Sequence, residues 1–245
     1  MKHLQIHLYA LCLNEDRMLP FFFRHYEGIV DRFFIFDTGS NDGSLDILRN
    51  HPKVELRSIK LIGESFIIDA LHCYNSYWKN SRNKADWVIV CNIDEHMHHE
   101  NLRTYLEECS DKGITLIQPE GFEMVSKEFP KVDQPLCQQV RRGVREILYD
   151  KPQLFQPDVI KEINFTPGRH HANPEGDIRI PLKREVKLLH YKYLGDEYLI
   201  KRFSELRKGL REYDIAQKWG VQYTWNEQQK IQHLRKLLEI SVDVL

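Results

Sequence analysis

Asn92-Ile93-Asp94-Glu95-His96 concentrates more metal- and phosphate-directed chemistry than any other stretch of the chain. It follows the apolar run 87–90 directly, so hard oxygen ligands emerge where a buried strand ends. Alternation puts Asn92 and Asp94 on one face if the strand persists. Magnesium and manganese take a few carboxylates plus substrate phosphate oxygens, which such a turn can offer. The plainer alternative for Asp94 is a helix cap. A second cluster is Asp37-Thr38-Gly39-Ser40-Asn41-Asp42-Gly43-Ser44. Its backbone N–H groups, hydroxyls and carboxylate precede a helix and suit a ribose, base or phosphate, or simply a turn. It is not a Walker loop, and no GxGxxG follows the first strand.

Two histidine groups, His96, His98 and His99, then His170, His171 and His190, contain zinc-ligand types, but no HExxH occurs. Exposed or core-satisfied histidine is the plainer fate of the first three. Residues 179–211 hold ten Lys or Arg against four acidic residues. This basic stretch, with Lys201 and Arg202 foremost, suits a diphosphate, an anionic acceptor or lipid headgroups in peripheral membrane contact, or only solvated helix faces.

These residues need elements to position them. Apolar runs at 4–13, 32–36 and 87–93 read as buried strands, and 54–61 alternates like a more exposed one. Between them, 18–29, 44–50 and 65–80 have helical character. Alternation of this kind predicts a mostly parallel central sheet flanked by helices, with ligands at the carboxyl ends of the strands. Asn14-Glu15, Asp37-Thr38-Gly39 and Asn92-Ile93-Asp94-Glu95 all fall at such ends. Beyond residue 102 a short helix and a strand at 114–118 precede a long proline-interrupted region, then a late strand at 186–193 and amphipathic helices at 196–213 and 226–240.

The 245 residues, 42% hydrophobic, suffice for one α/β domain with a small helical annex. Lys plus Arg, at 35, nearly cancels Asp plus Glu, at 36, so nothing points to nucleic acid. Five cysteines without CxxC spacing predict free thiols in a reducing compartment. No signal-peptide pattern and no long apolar span is present, which places the chain in the cytoplasm, with the inner face of the membrane as the surface within reach.

The amino-terminal part resembles glycosyltransferase family 2 and its GT-A relatives. Leu13-Asn14-Glu15 matches the family's first strand end, the 37–44 turn its second, and Asn92-Ile93-Asp94-Glu95 its metal-binding DxD-type motif. Asn92 departs from the pattern by replacing an Asp. The resemblance covers residues 4–100 well and the rest loosely. It implies a GT-A (Rossmann-like) fold and an inverting, metal-dependent transfer from a nucleotide sugar to a glycan or lipid-linked acceptor. Glu15 and Asp37 would contact the nucleoside, Asp69 and Asn75 border the donor, and Asp94 meet a manganese or magnesium ion. His190 would be a further ligand, with Glu95 compensating for Asn92. Arg169 and His171, in Gly168-Arg169-His170-His171, resemble a loop closing over the donor. Glu120 or Glu123 would be the general base. The implied division is a catalytic domain at 1–195, with a nucleotide-sugar half to residue 100 and an acceptor half at 101–195, followed by a helical extension at 196–245. A non-catalytic sugar-nucleotide-binding subunit, or a metal-dependent nucleotidyltransferase or phosphohydrolase, remains an alternative.

Overall fold

The computed structural model describes residues 3–245. Its strands are β1 (Ile6–Cys12), β2 (Arg32–Asp37), β3 (Val54–Ser58), β4 (Trp87–Val90), β5 (Glu95–His98), β6 (Leu116–Ile117), β7 (Glu120–Ser126), β8 (Arg142–Arg145), β9 (Leu154–Phe155), β10 (Ile160–Glu162), β11 (Glu175–Gly176), β12 (Lys187–Leu194) and β13 (Val242–Asp243). The α-helices are α1 (Leu19–Tyr26), α2 (Ser44–Asn50), α3 (Phe66–Ser76), α4 (Leu102–Asp111), α5 (Leu136–Gln139), α6 (Asp196–Gly209), α7 (Glu212–Ala216) and α8 (Glu227–Ile240).

The first sheet runs β3-β2-β1-β4-β9-β6. Its first four strands are parallel, and the two short ones beyond β4 close it in antiparallel fashion. The apolar runs in the sequence form these central strands because helices cover both faces. Ile6, Leu8, Phe33, Ile35 and Ile89 are fully buried. Each such side chain contributes roughly 1.5–3 kcal/mol. The fold is thus the mixed α/β, mostly parallel sheet flanked by helices that the sequence predicts.

The second sheet, β13-β8-β7-β12-β5, differs from expectation. Residues 95–98 form an edge strand antiparallel to β12, where the sequence suggested only a strand-end loop. Residues 120–126 pair in parallel with β12. Neither strand has a long apolar run to announce it, and both are held by pairing with β12. The chain end adds β13 to this sheet, beside β8.

The expected helix at 196–213 ends at Gly209, and α7 starts a new turn. The buried Asp214 explains the break, since its carboxylate accepts hydrogen bonds from the Phe66, Ile67 and Arg211 backbone N–H groups and the Ser65 hydroxyl. One side chain thereby ties the starts of α3 and α7 together. Among the described residues no disulfide forms and no helix is long and apolar enough to cross a membrane.

Candidate active site

A cleft of about 220 Å³ opens at the carboxyl ends of β1 and β4. Its floor comes from Leu11 and Cys12 at the end of β1, Leu13 and Glu15 just after it, Thr38 after β2, and Asn92 and Asp94 after β4. One wall is apolar, because Phe66, Ile67, Ala70, Leu71 and Tyr74 recur at helical spacing along the start and inner face of α3. The opposite wall carries charge, with Lys192 from β12 and Arg202 from α6.

Asp94 is 4% exposed, and its Oδ2 lies 3.5 Å from His190 Nε2. Burial alone would raise its pKa, but His190, Lys192 and Arg202 outweigh burial and hold the carboxyl well below its ordinary range. His190 is sandwiched, since its Nδ1 also sits 3.0 Å from Glu123 Oε1, close enough for an ion pair though without hydrogen-bond alignment. Burial disfavours the imidazolium, yet Glu123 and Asp94 prevail and lift its pKa to about 9. The two flanking carboxylates thus favour the protonated ring.

Glu95, next in sequence, has a different fate. It is fully buried, and one oxygen binds Lys151 while the other accepts from Asn92 N at 2.9 Å, Gln153 at 2.8 Å and Arg169 at 2.8 Å. Its acceptor capacity is filled, and it does not line the cleft. The Asn92 amide oxygen accepts the Tyr74 hydroxyl at 2.7 Å. The motif's oxygens thus serve the protein itself, apart from Asp94, and no group of three or more potential metal ligands occurs among the described residues. Of the expected metal ligands only Asp94 turns an oxygen to the cleft, and His190 competes for it, so the residues present are a poor fit for a magnesium or manganese ion.

The other expected donor residues divide into three sets. Leu13, Glu15, Asn92, Arg169 and Arg202 line the cleft. Arg202 donates to the Leu13 carbonyl at 2.7 Å and pairs with Glu15, whose carboxyl burial pushes up to about 8 against that pairing. Arg169 lies 4.4 Å over the Tyr74 ring and takes a left-handed φ of 57°. Asn14 and Lys201 line an adjoining hollow of about 210 Å³ that shares Glu15 and Arg202 with the cleft.

The rest are occupied elsewhere. Asp37 accepts the N–H groups of Gly39, at 3.0 Å, and Ser40, so it closes its own turn, and Gly39 is suited to the φ of 115° this requires. The Ser40 hydroxyl accepts from Asn14 N. Asp69 binds Gly63 N and Arg211, and Asn75 pins Phe165 through its side-chain amide. Ile93 is core, and His171 is exposed. Glu120 pairs with Arg145 at 3.3 Å, and Glu123 accepts the Tyr149 hydroxyl at 2.7 Å; neither lines the cleft.

Sequence reasoning missed Tyr74 and Tyr223, and it held Thr38 and Lys192 only as members of the 37–44 turn and the basic stretch 179–211. Lys192 had a sharper signal: a lysine two positions from His190, flanked by tyrosines in the interior of an apolar strand, must either be buried with partners or face a ligand. Tyr74 had none, since its helical stripe reads as core.

No family model matches this chain, and no curated protein matches it. Among solved structures, residues 1–349 of S. aureus TarS align with 9% identity over 84% of this chain and 65% of that one, at a TM-score of 0.48. S. aureus TarS itself aligns with 12% identity over 96% and 43%, at 0.49. Glucosyl-3-phosphoglycerate synthase from Mycobacterium tuberculosis, in complex with Mn2+, uridine diphosphate and phosphoglyceric acid, aligns with 17% identity over 49% and 43%, at 0.34. The chain spans less than two thirds of the length of each of these three.

Proposed function

We propose that this chain is a glycosyltransferase, moving a sugar from a nucleoside-diphosphate sugar to a hydroxyl of a glycan or lipid-linked acceptor with inversion at the anomeric carbon. The observation that carries the reading is the polarity of the cleft: an apolar wall ending in Tyr74 faces Lys192 and Arg202 across a floor containing Asp94. An aromatic and aliphatic wall suits the flat face of a base or sugar, and two fixed cations suit a diphosphate. The resemblance of the three strand ends to family 2 transferases supports the same assignment.

In the reaction, negative charge grows on the departing diphosphate oxygen. Lys192 and Arg202 supply positive charge at the cleft wall, in a buried setting where electrostatic interactions are strong. Asp94, held ionised, accepts hydroxyl groups of the donor. Inversion also requires a base on the acceptor hydroxyl; the resemblance gives that role to Glu120 or Glu123, which lie outside the cleft, paired with Arg145 and with Tyr149 and His190.

The test is incubation with a panel of nucleoside-diphosphate sugars, scoring released nucleoside diphosphate and pyrophosphate. Diphosphate release from one donor class, reduced about 100-fold in Asp94→Ala, is expected. Pyrophosphate release would instead establish a nucleotidyltransferase, and binding without turnover a binding subunit.

A further inference from the structure

We infer that the cleft binds the diphosphate of its donor without a divalent cation, with Lys192 and Arg202 in the cation's place. This rests on the transferase reading above and deepens it. The argument is a balance of donors and acceptors. Most carboxylates near the cleft are already engaged: Glu95 by Lys151 and Arg169, Glu123 by Tyr149 and His190, and Glu15 by Arg202, while Asp94 faces the cleft with His190 3.5 Å from one of its oxygens. A divalent cation would have to displace one of these cations or sit beside them. Donors, by contrast, remain open.

Lys192 is 9% exposed and lines the cleft, yet among the described residues its ammonium makes one hydrogen bond, to the Tyr223 hydroxyl at 3.2 Å. An ammonium has three N–H groups, so two await acceptors. Arg202 is 8% exposed, and its Nε is buried without a partner. Unsatisfied buried donors on cationic groups are costly, and a ligand rich in acceptor oxygens removes that cost. The cleft wall thus has cationic donors to spare, which favours a phosphate-bearing anion there.

The experiment is calorimetric titration of the wild-type chain with UDP, GDP and ADP, in EDTA and again with manganese. At least one diphosphate is expected to bind in EDTA, with an affinity that manganese changes by less than about threefold. The corresponding monophosphate should bind at least about tenfold more weakly. Lys192→Ala should weaken the diphosphate at least about tenfold, while Lys192→Arg retains most of the affinity, with thermal melts confirming that each variant is folded. Binding that requires manganese overturns the inference and leaves the transferase reading standing. Failure of every diphosphate to bind in both conditions overturns the transferase reading and the inference with it.

Discussion

The two sheets use their polar residues in opposite ways. In the first sheet, polar side chains at the strand ends attend to nearby backbone: Asp37 closes its own turn, Asn14 accepts from Asn41 N at 2.8 Å, and Ser44 accepts from Glu15 N at 2.8 Å. In the second, charged side chains are buried against one another, with Glu95, Glu123, His190 and Lys192 all within three adjacent strands. The boundary falls between Asp94 and Glu95, neighbours in sequence with separate tasks. Motifs at strand ends shape the floor of the cleft, and the second sheet and α6 bring charge to its wall.

The largest effect that would sharpen this contrast is expected at Glu95. Glu95→Gln leaves Lys151 and Arg169 buried and short of a counter-charge, which should cost about 3–5 kcal/mol of stability. Urea unfolding gives the value directly. A loss below about 1 kcal/mol would show that the second sheet tolerates its buried charges unpaired, and the contrast would fail.

Where the layers meet, α1 and β5 bring together a histidine pair, the half-buried His25 stacked on the buried His96 with ring centroids 4.6 Å apart. Burial holds His25 down at about 4 despite its hydrogen bond to the Met97 carbonyl, and His96 well below the ordinary value. In the unfolded chain both accept protons below about 6.5, whereas folded His25 does so only near 4. Stability is therefore intact above about pH 6.5 and falls as pH drops toward 4, by up to about 3 kcal/mol for His25 alone. Thermal melts between those limits should show the fall, and His25→Asn should make it shallower. A profile unchanged by that substitution would place the acid sensitivity elsewhere.

The same division governs what the sequence reveals. Strands β1, β2 and β4 are legible because parallel strands buried on both faces are written as apolar runs, and the cleft's position follows from where those runs stop. The second sheet is not, because β5 reads Glu-His-Met-His and β7 places Glu120 and Glu123 in its pattern. Their burial depends on partners remote in sequence, such as Lys151 and Tyr149, which no local period encodes. Of the candidate residues, Glu15, Asn92, Asp94 and Arg202 do reach the cleft. Asp37 and Glu95 do not, since a residue type shared by ligand and cap leaves its choice to the three-dimensional neighbours.

Asp94→Asn is expected to separate the two neighbours functionally. It removes the carboxylate facing the cleft and leaves His190 its other partner, Glu123, so stability should fall by less than in Glu95→Gln. Turnover should fall about 100-fold, or about 2.7 kcal/mol, as measured by nucleoside diphosphate release. Equal stability losses in the two variants would mean that Asp94 belongs to the buried network as fully as Glu95 does.

The smallest effect is expected at Asp37, where the contrast is most exposed to refutation. The family resemblance assigns this carboxylate to the nucleoside, while the structure spends it on the N–H groups of Gly39 and Ser40 and puts Thr38 at the cleft instead. Asp37→Asn keeps one acceptor oxygen and loses the charge, so the turn should weaken by about 1 kcal/mol. Donor affinity should change by less than about threefold, because the side chain does not line the cleft. A loss of affinity tenfold or greater, at unchanged stability, would mean that the turn reopens on binding and that the first sheet, too, lends its charges to the substrate.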